Sequence, residues 1–298
     1  MQLRAEQLTS HLSKQLLPIY LLSGDEPLQL MEAADGVRQK ARAEGFAERE
    51  ILDVDRSFDW GQLFSASNSM SLFASRRIIE LRLPTAKPGR EGSLALLEYC
   101  QNPDPDNLLL IIAGKLDAAA KKSKWCKTLE SAGVLLQVWM PDTQQLPQWI
   151  QQRMIAQGLA PDQGAVQVVA NRVEGNLLAA SQEIEKLSLL FHGEAIDAEK
   201  VATVVADSTR YSTYDLADAL LKGDARRAVR IFHGLLSEGV VAPLFLSVIT
   251  RDLRVLYGLA NLRQSGGSEE QVFKAARIWN NKQGLYRTAI GRISLQQV

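Results

Sequence analysis

Two nearly continuous apolar runs, LLPIYLLSG at 16–24 and LLLIIAG at 108–114, constrain the fold more than any other feature of the 298-residue chain. A strand wetted on one face alternates polar and apolar residues, whereas a strand apolar at every position must be covered on both faces. Such strands are parallel, and parallel strands need helical crossovers. The intervening sequence supplies them. PLQLMEAADGVRQKARAEG (27–45) repeats apolar residues at helical spacing and stops at Gly45. DWGQLFSASNSM (59–70) sets Trp60, Leu63, Phe64 and Ser67 on one face with Asp59 as N-cap, and further helices are expected over SLALLEYCQN (93–102) and around AAAKKSKWCKTL (118–129). REILDVD (49–55), RRIIELRLP (76–84) and VLLQVWMP (134–141) read as the remaining strands. The first ~140 residues therefore form one α/β domain.

From QLPQWIQQRM (145–154) onward the pattern is helical, with no convincing strand. GLAPDQGA, EGN and FHGEAID part three or so short helices before residue 208. A second helical series follows, and its longest member, APLFLSVITRDLRVLYGLANLRQSG (242–266), carries Leu244, Val248, Leu253, Leu256 and Leu259 in a stripe that requires other helices. The fold class is α/β plus all-α, divided at 1–140, 141–208 and 209–298.

Lys plus Arg and Asp plus Glu are both 34, so no overall field draws the chain to nucleic acid and any such contact is local. Residues 211–298 hold 12 Lys/Arg against 7 Asp/Glu, a modest local surplus. No run approaches the ~18–20 apolar residues of a membrane span, and the N-terminal stretch, interrupted by Pro18, lacks a secretory pattern, so a cytoplasmic location and no membrane partner are expected. Cys100 and Cys126 are expected as buried thiols rather than a disulfide or metal knuckle.

Catalytic signatures are missing where the fold would place them. The first βα turn of a nucleotide-binding α/β domain needs GxxxxGK[ST], whose amides, lysine and hydroxyl hold phosphates and magnesium. Here it reads LLSGDEPLQLME, with Gly24 alone surviving and Asp25, Glu26 and Pro27 adding two negative charges and deleting a donor. Glu80 stands singly on its strand, with no second acid to organise a metal-bound water. His11, His192 and His233 lack HExxH spacing, and no GxSxG elbow occurs. Asp53, Asp55 and Asp59 alternate loosely but lack the glycine and terminal glutamate of a calcium loop. Neither a cofactor, a metal nor a catalytic residue is expected.

One stretch resists a purely structural reading. In SMSLFASRR (69–77), Leu72 and Phe73 sit side by side in a connection whose flanking elements already have apolar faces to bury. One of them plugs the core while the other is tolerated outside, or the pair is an apolar plug for a partner's pocket, rimmed by Ser71, Ser75, Arg76 and Arg77. RIWNNKQG (277–284) leaves a similar choice: Trp279 between Arg277 and Lys282 stacks on a nucleic-acid base, or it packs between helices.

LLSGDEPLQL, SMSLFASRR, LLLIIAGK, EGNLLAASQEIEKLSLL and RIWNNKQG, in this order and spacing, resemble the delta subunit of the bacterial DNA polymerase III clamp loader along nearly the whole chain. The resemblance implies an AAA+-like α/β domain, a small helical lid and a helical collar that joins a hetero-pentamer with the motor subunit and delta prime, the collar here ending at SLQQV, short of the family's usual length. It implies a subunit of the DNA polymerase (nucleotidyltransferase) holoenzyme that neither binds nor hydrolyses ATP, yet grips and opens the ring-shaped sliding clamp (the beta subunit) for loading onto primed DNA. Met70, Ser71, Leu72 and Phe73 would be the clamp-binding residues. The motor subunit and delta prime are disfavoured, because they carry zinc-binding cysteine clusters and a Ser-Arg-Cys motif absent here. An active NTPase with an unorthodox phosphate loop and a helical scaffold with no clamp role are the alternatives.

Overall fold

The computed structural model describes residues 1–68, 76–205, 209–265 and 268–293, and the chain divides into two compact units, Met1–Asp142 and Thr143–Val298.

The first unit is built on β1 (Gln2–Leu3), α1 (Ala5–Lys14), β2 (Ile19–Gly24), α2 (Pro27–Ala43), β3 (Phe46–Asp53) and α3 (Gly61–Asn68). It continues through β4 (Arg76–Leu83), α4 (Gly89–Tyr99), β5 (Asn107–Ala113), α5 (Ala118–Lys122), α6 (Lys124–Ala132) and β6 (Val134–Val138). The six strands form one parallel sheet in the order β1-β6-β2-β5-β4-β3. The two apolar runs become the neighbouring inner strands β2 and β5, with Leu21 opposite Ile111.

Alternation along these strands divides the core into two layers. Ile19, Leu21, Ile79, Leu81, Leu109 and Ile111 face one side, where Leu63 of α3, Leu96 of α4 and Leu129 of α6 join them. Tyr20, Leu22, Ile78, Leu108 and Leu110 face the other, against Leu8 and Leu12 of α1 and Ala34 and Val37 of α2. Both faces are thus dry, as the uninterrupted apolar sequence requires. The outer strand β3 instead exposes Arg49, Glu50 and Ile51, and charge on an edge discourages pairing with another chain.

Two local differences from the sequence reading have clear causes. The expected helix over 118–129 is two helices, because Ser123 adopts an extended backbone (φ −64°, ψ 153°) and its hydroxyl accepts from the amide of Cys126 to start α6. The short β1 and α1 carry too brief a pattern to read locally, and β1 exists through pairing with β6 at Gln2–Leu135.

The second unit contains α7 (Leu146–Ala156), β7 (Ala160–Pro161), α8 (Gln163–Val173), α9 (Leu177–Leu190), β8 (Ala195–Ile196) and α10 (Ala198–Val204). These are followed by α11 (Thr213–Lys222), α12 (Ala225–Ser237), α13 (Ala242–Ser265), α14 (Glu269–Ala275) and α15 (Asn280–Ile290). The three or so helices expected before residue 208 are four, α7 to α10, among the described residues, and β7 and β8 form a two-residue parallel pair where no strand was expected, a ladder too short for a period to register. Asp162, Asn176, Asp197, Ser212 and Asp224 each cap the helix that follows. In α13, Val248, Leu256 and Leu259 are buried as the stripe predicts, but Leu244 and Leu253 are exposed at 56% and 44%. Those two lie off the face that meets neighbouring helices.

Candidate functional site

The end of β2 is where a phosphate loop would lie, and its chemistry is already occupied. Glu26 is buried, and its carboxylate accepts from the amides of Leu28 (3.3 Å) and Gln29 (2.6 Å), the first free donors of α2. Pro27 at the first helical position has no amide to offer. A side-chain carboxylate thus sits where an incoming anion would meet the positive end of the helix. Asp25 pairs with Lys115 at 2.5 Å, and the Ser23 hydroxyl donates to the Gly114 carbonyl (2.7 Å) while accepting from the Leu116 amide (3.1 Å). Gly24 is a packing residue: a Cβ there would fall 2.4 Å from both the carbonyl oxygen and a methyl of Val138.

Met70, Ser71, Leu72 and Phe73 lie outside the described residues, together with the rest of 69–75. What the structure places is the base from which this segment departs. The Ala66 carbonyl accepts from the Arg77 guanidinium at 3.0 Å. The Ser67 carbonyl accepts from the side-chain amide of Asn107 at 2.9 Å, and that amide also reaches Asp104 at 3.1 Å. Arg76 meets Asp106 (3.3 Å) and the Glu44 carbonyl (3.1 Å), and stacks 5.5 Å from the Phe46 ring. The end of α3 and the start of β4 are therefore tied to each other and to the head of β5.

Arg76 and Arg77, read from the sequence as part of a polar rim, also anchor the base of this segment. The Arg77 side chain is only 11% exposed, and Arg76 is engaged with a carboxylate, a carbonyl and a ring. Nothing in the local sequence distinguishes a rim arginine from an anchoring one, since the partners are 11 to 32 residues away. Asn107 was missed altogether. Its sole signal is an amide opening an apolar strand, and such a buried amide needs hydrogen-bond partners.

Glu80, single on its strand as read, is fully buried and receives three guanidinium groups: Arg38 (2.9 Å), Arg49 (2.9 Å) and Arg82 (3.0 Å). Burial raises its carboxyl pKa, but the hydrogen bonds from Arg49 and Arg38, the Arg38 charge and the bond from Arg82 outweigh it and leave it below the ordinary value. Asp55 accepts from the amide and hydroxyl of Ser57, and Asp59 from the amide of Gly61, so each organises its own turn. No metal-capable cluster of three His, Cys, Asp or Glu occurs among the described residues. Cys126 is buried, Cys100 half-buried, and both are free, with burial lifting each thiol to about 11. No helix among the described residues is long and apolar enough to cross a membrane.

At the far end of the chain, Trp279 is 80% exposed at the N-cap of α15. Packing there is done by Phe273 and Tyr286, so the alternative of a helix-packing tryptophan does not hold. Lys282 turns to Asp218 (2.8 Å) and lies 5.8 Å from the Tyr214 ring, while Arg277 is exposed in a left-handed backbone conformation (φ 52°). The structure thus separates the trio: Lys282 has a partner of its own, and Trp279 stands out.

A parallel sheet whose five longer strands run β6-β2-β5-β4-β3, followed by a mostly helical unit, is an AAA+-like fold, here with the phosphate position filled by its own glutamate. The Bacillus subtilis DNA clamp loader delta protein has this fold: it superimposes with a TM-score of 0.54 over 98% of this chain and 89% of its own, at 19% identity. A family model described as DNA polymerase III, delta subunit, matches residues 20–138. DNA polymerase III subunit delta of Escherichia coli is 35% identical over 100% of this chain and 86% of its own length, and that of Haemophilus influenzae is 34% identical over 98% and 88%. The chain belongs to the DNA polymerase III delta subunit family.

Proposed function

We propose that this chain is the clamp-opening subunit of a replicative clamp loader, acting without nucleotide chemistry of its own. The observation that carries the reading is the anchored base of residues 69–75. Arg77 and Asn107 hold both ends of the connection, and the apolar faces of α3 and β4 are already buried without it. Leu72 and Phe73 are then free to serve a partner, with Met70 and Ser71 beside them. Flanks already held by hydrogen bonds need not be ordered when the pair enters a pocket on the sliding clamp, which lowers the entropic cost of binding. The clamp opens by population shift: a surface that fits the sprung interface better than the closed one stabilises the open ring by that difference in affinity.

Leu72→Ala/Phe73→Ala should weaken binding to the cognate sliding clamp by ~2 kcal/mol or more, about thirtyfold, as for loss of two central apolar anchors. Surface plasmon resonance with the two proteins measures it, and unchanged affinity removes the reading.

The Glu26 carboxylate on the start of α2 favours a subunit that does not take ATP, leaving nucleotide turnover to the motor subunits. Magnesium-dependent hydrolysis by the isolated chain would instead favour an active NTPase. Residues 141–208 serve as the lid and 209–298 as the collar in a hetero-pentamer with the motor subunit and delta prime. In support, α7 to α10 pack among themselves, as do α11 to α15.

Exposure of Trp279 supports a contact with primed DNA inside the assembly, the indole stacking on a base and Arg277 meeting phosphate. Trp279→Ala should reduce affinity of the assembled loader for a primed template about tenfold, from ~1–3 kcal/mol per stacked base. Fluorescence anisotropy of a labelled primer-template reads this out, and an unchanged dissociation constant counts against the contact.

A further inference from the structure

We propose that the cavity bounded by α7, α8 and the first turn of α12 is an oxyanion site that takes a phosphate group. The cavity measures about 270 Å³ and is lined by three guanidinium groups, Arg226, Arg227 and Arg230, against two carboxylates, Glu174 and Asp224. Both carboxylates are already engaged. Glu174 pairs with the Arg227 guanidinium, and Asp224 caps α12 by accepting from the Arg227 amide at 3.0 Å. Positive charge is left over at the cavity.

Two donor groups lining the same cavity, the Asn171 amide and the Arg226 guanidinium, have no acceptor among the described residues. The Asn171 oxygen accepts from Gln167 (3.2 Å) and Arg230 (3.3 Å), and its two N–H bonds have no acceptor among the described residues. Arg226 is exposed and has no carboxylate partner among the described residues.

The position of the arginines gives a second, independent reason. Arg226 and Arg227 occupy the first turn of the 13-residue α12, which contains no acidic residue. Cations at the positive end of a helix are opposed by its dipole; the Asp224 cap offsets one of the two, and a further anion beside Arg226 would offset the other. Phosphate suits the donor set better than a single carboxylate, because it offers three or four oxygens to planar guanidinium groups and an amide.

Calorimetric titration of the full chain with inorganic phosphate, at ionic strength held constant with chloride, should show saturable binding. Arg226→Ala should weaken it about tenfold. Asn171→Asp keeps an oxygen acceptor for Gln167 and Arg230 but replaces the donor with negative charge, and should abolish binding while circular dichroism stays unchanged. A single-stranded oligonucleotide that competes with phosphate, and loses that competition in Asn171→Asp, identifies a nucleic-acid backbone as the source. Phosphate binding without competition identifies a free or nucleotide-borne phosphate. Failure of the wild-type chain to bind phosphate, or equal binding by wild type and both variants, overturns the assignment. Neither readout depends on the sliding clamp.

Discussion

Glu80→Gln should destabilise the first unit by about 3 kcal/mol and blunt its response to acid. The carboxylate is fully buried, and its three arginine partners, Arg38, Arg49 and Arg82, come from α2, β3 and its own strand. Glutamine keeps the shape but leaves converging guanidinium charges uncompensated in a partly dry site, and losing one member of such a group is far costlier than the group's net contribution. Arg38 retains Asp35 and Arg82 retains Asp53 at 3.6 Å, which holds the loss toward the lower end of the usual range.

The pH dependence has a definite sign. The folded-state pKa of Glu80 lies below the ordinary value, so the unfolded chain takes up the proton first. The stabilisation is complete above the unfolded value, about pH 4.3, and is lost as pH falls through the lower folded value. Urea titrations of wild type and Glu80→Gln should therefore be furthest apart near neutrality and converge in acid. A gap that persists unchanged at low pH would show that the charge is not the cause.

Gly175→Ala should cost the second unit ~3 kcal/mol or more. Gly175 has φ +79°, and a Cβ there would fall 2.0 Å from the carbonyl oxygen of Arg210. Left-handed strain alone accounts for only ~1 kcal/mol. The remainder is backbone collision, which would part the Glu174–Gly175 turn from Arg210 and break the Arg210 amide's hydrogen bond to the Glu174 carbonyl, 2.8 Å long. Asparagine, which tolerates positive φ, should not rescue, because the Cβ is the obstacle. A urea midpoint for Gly175→Asn close to wild type would show that conformation and not space governs the site.

Legibility in the sequence follows the range over which each interaction acts. β2 and β5 were readable because burial on both faces leaves every position apolar, whatever the neighbouring strand is. Gly45, Asp59 and Gly24 were readable as punctuation, because turns and caps act over two or three residues. The close backbone approach at EGN was not readable: glycine at 175 marks a turn locally, but the obstacle is a carbonyl 35 residues on. The same applies to Arg76 and Arg77, whose charge suggested a rim and whose partners, Asp106 and the Ala66 carbonyl, made them anchors. For Trp279, composition could not separate an exposed indole from a packed one, because the residue type serves either purpose; only the fold leaves it 80% exposed while Phe273 and Tyr286 fill the core.

The amino-acid sequence by itself determined a parallel α/β unit followed by helices and a first βα turn chemically unsuited to phosphate, because apolar periodicity and the charges at 25–26 are local properties. Only the tertiary structure decided what those charges do. Folding brings Lys115 to Asp25 and aims Glu26 at the amides of its own helix, so that a loop legible only as deficient proves to be filled. Segment 69–75 follows the same division: Leu72 and Phe73 stand out in sequence as a surplus of apolar residues, while the anchoring of the flanking Ala66 and Ser67 by Arg77 and Asn107 exists only once α3 lies against β4 and β5.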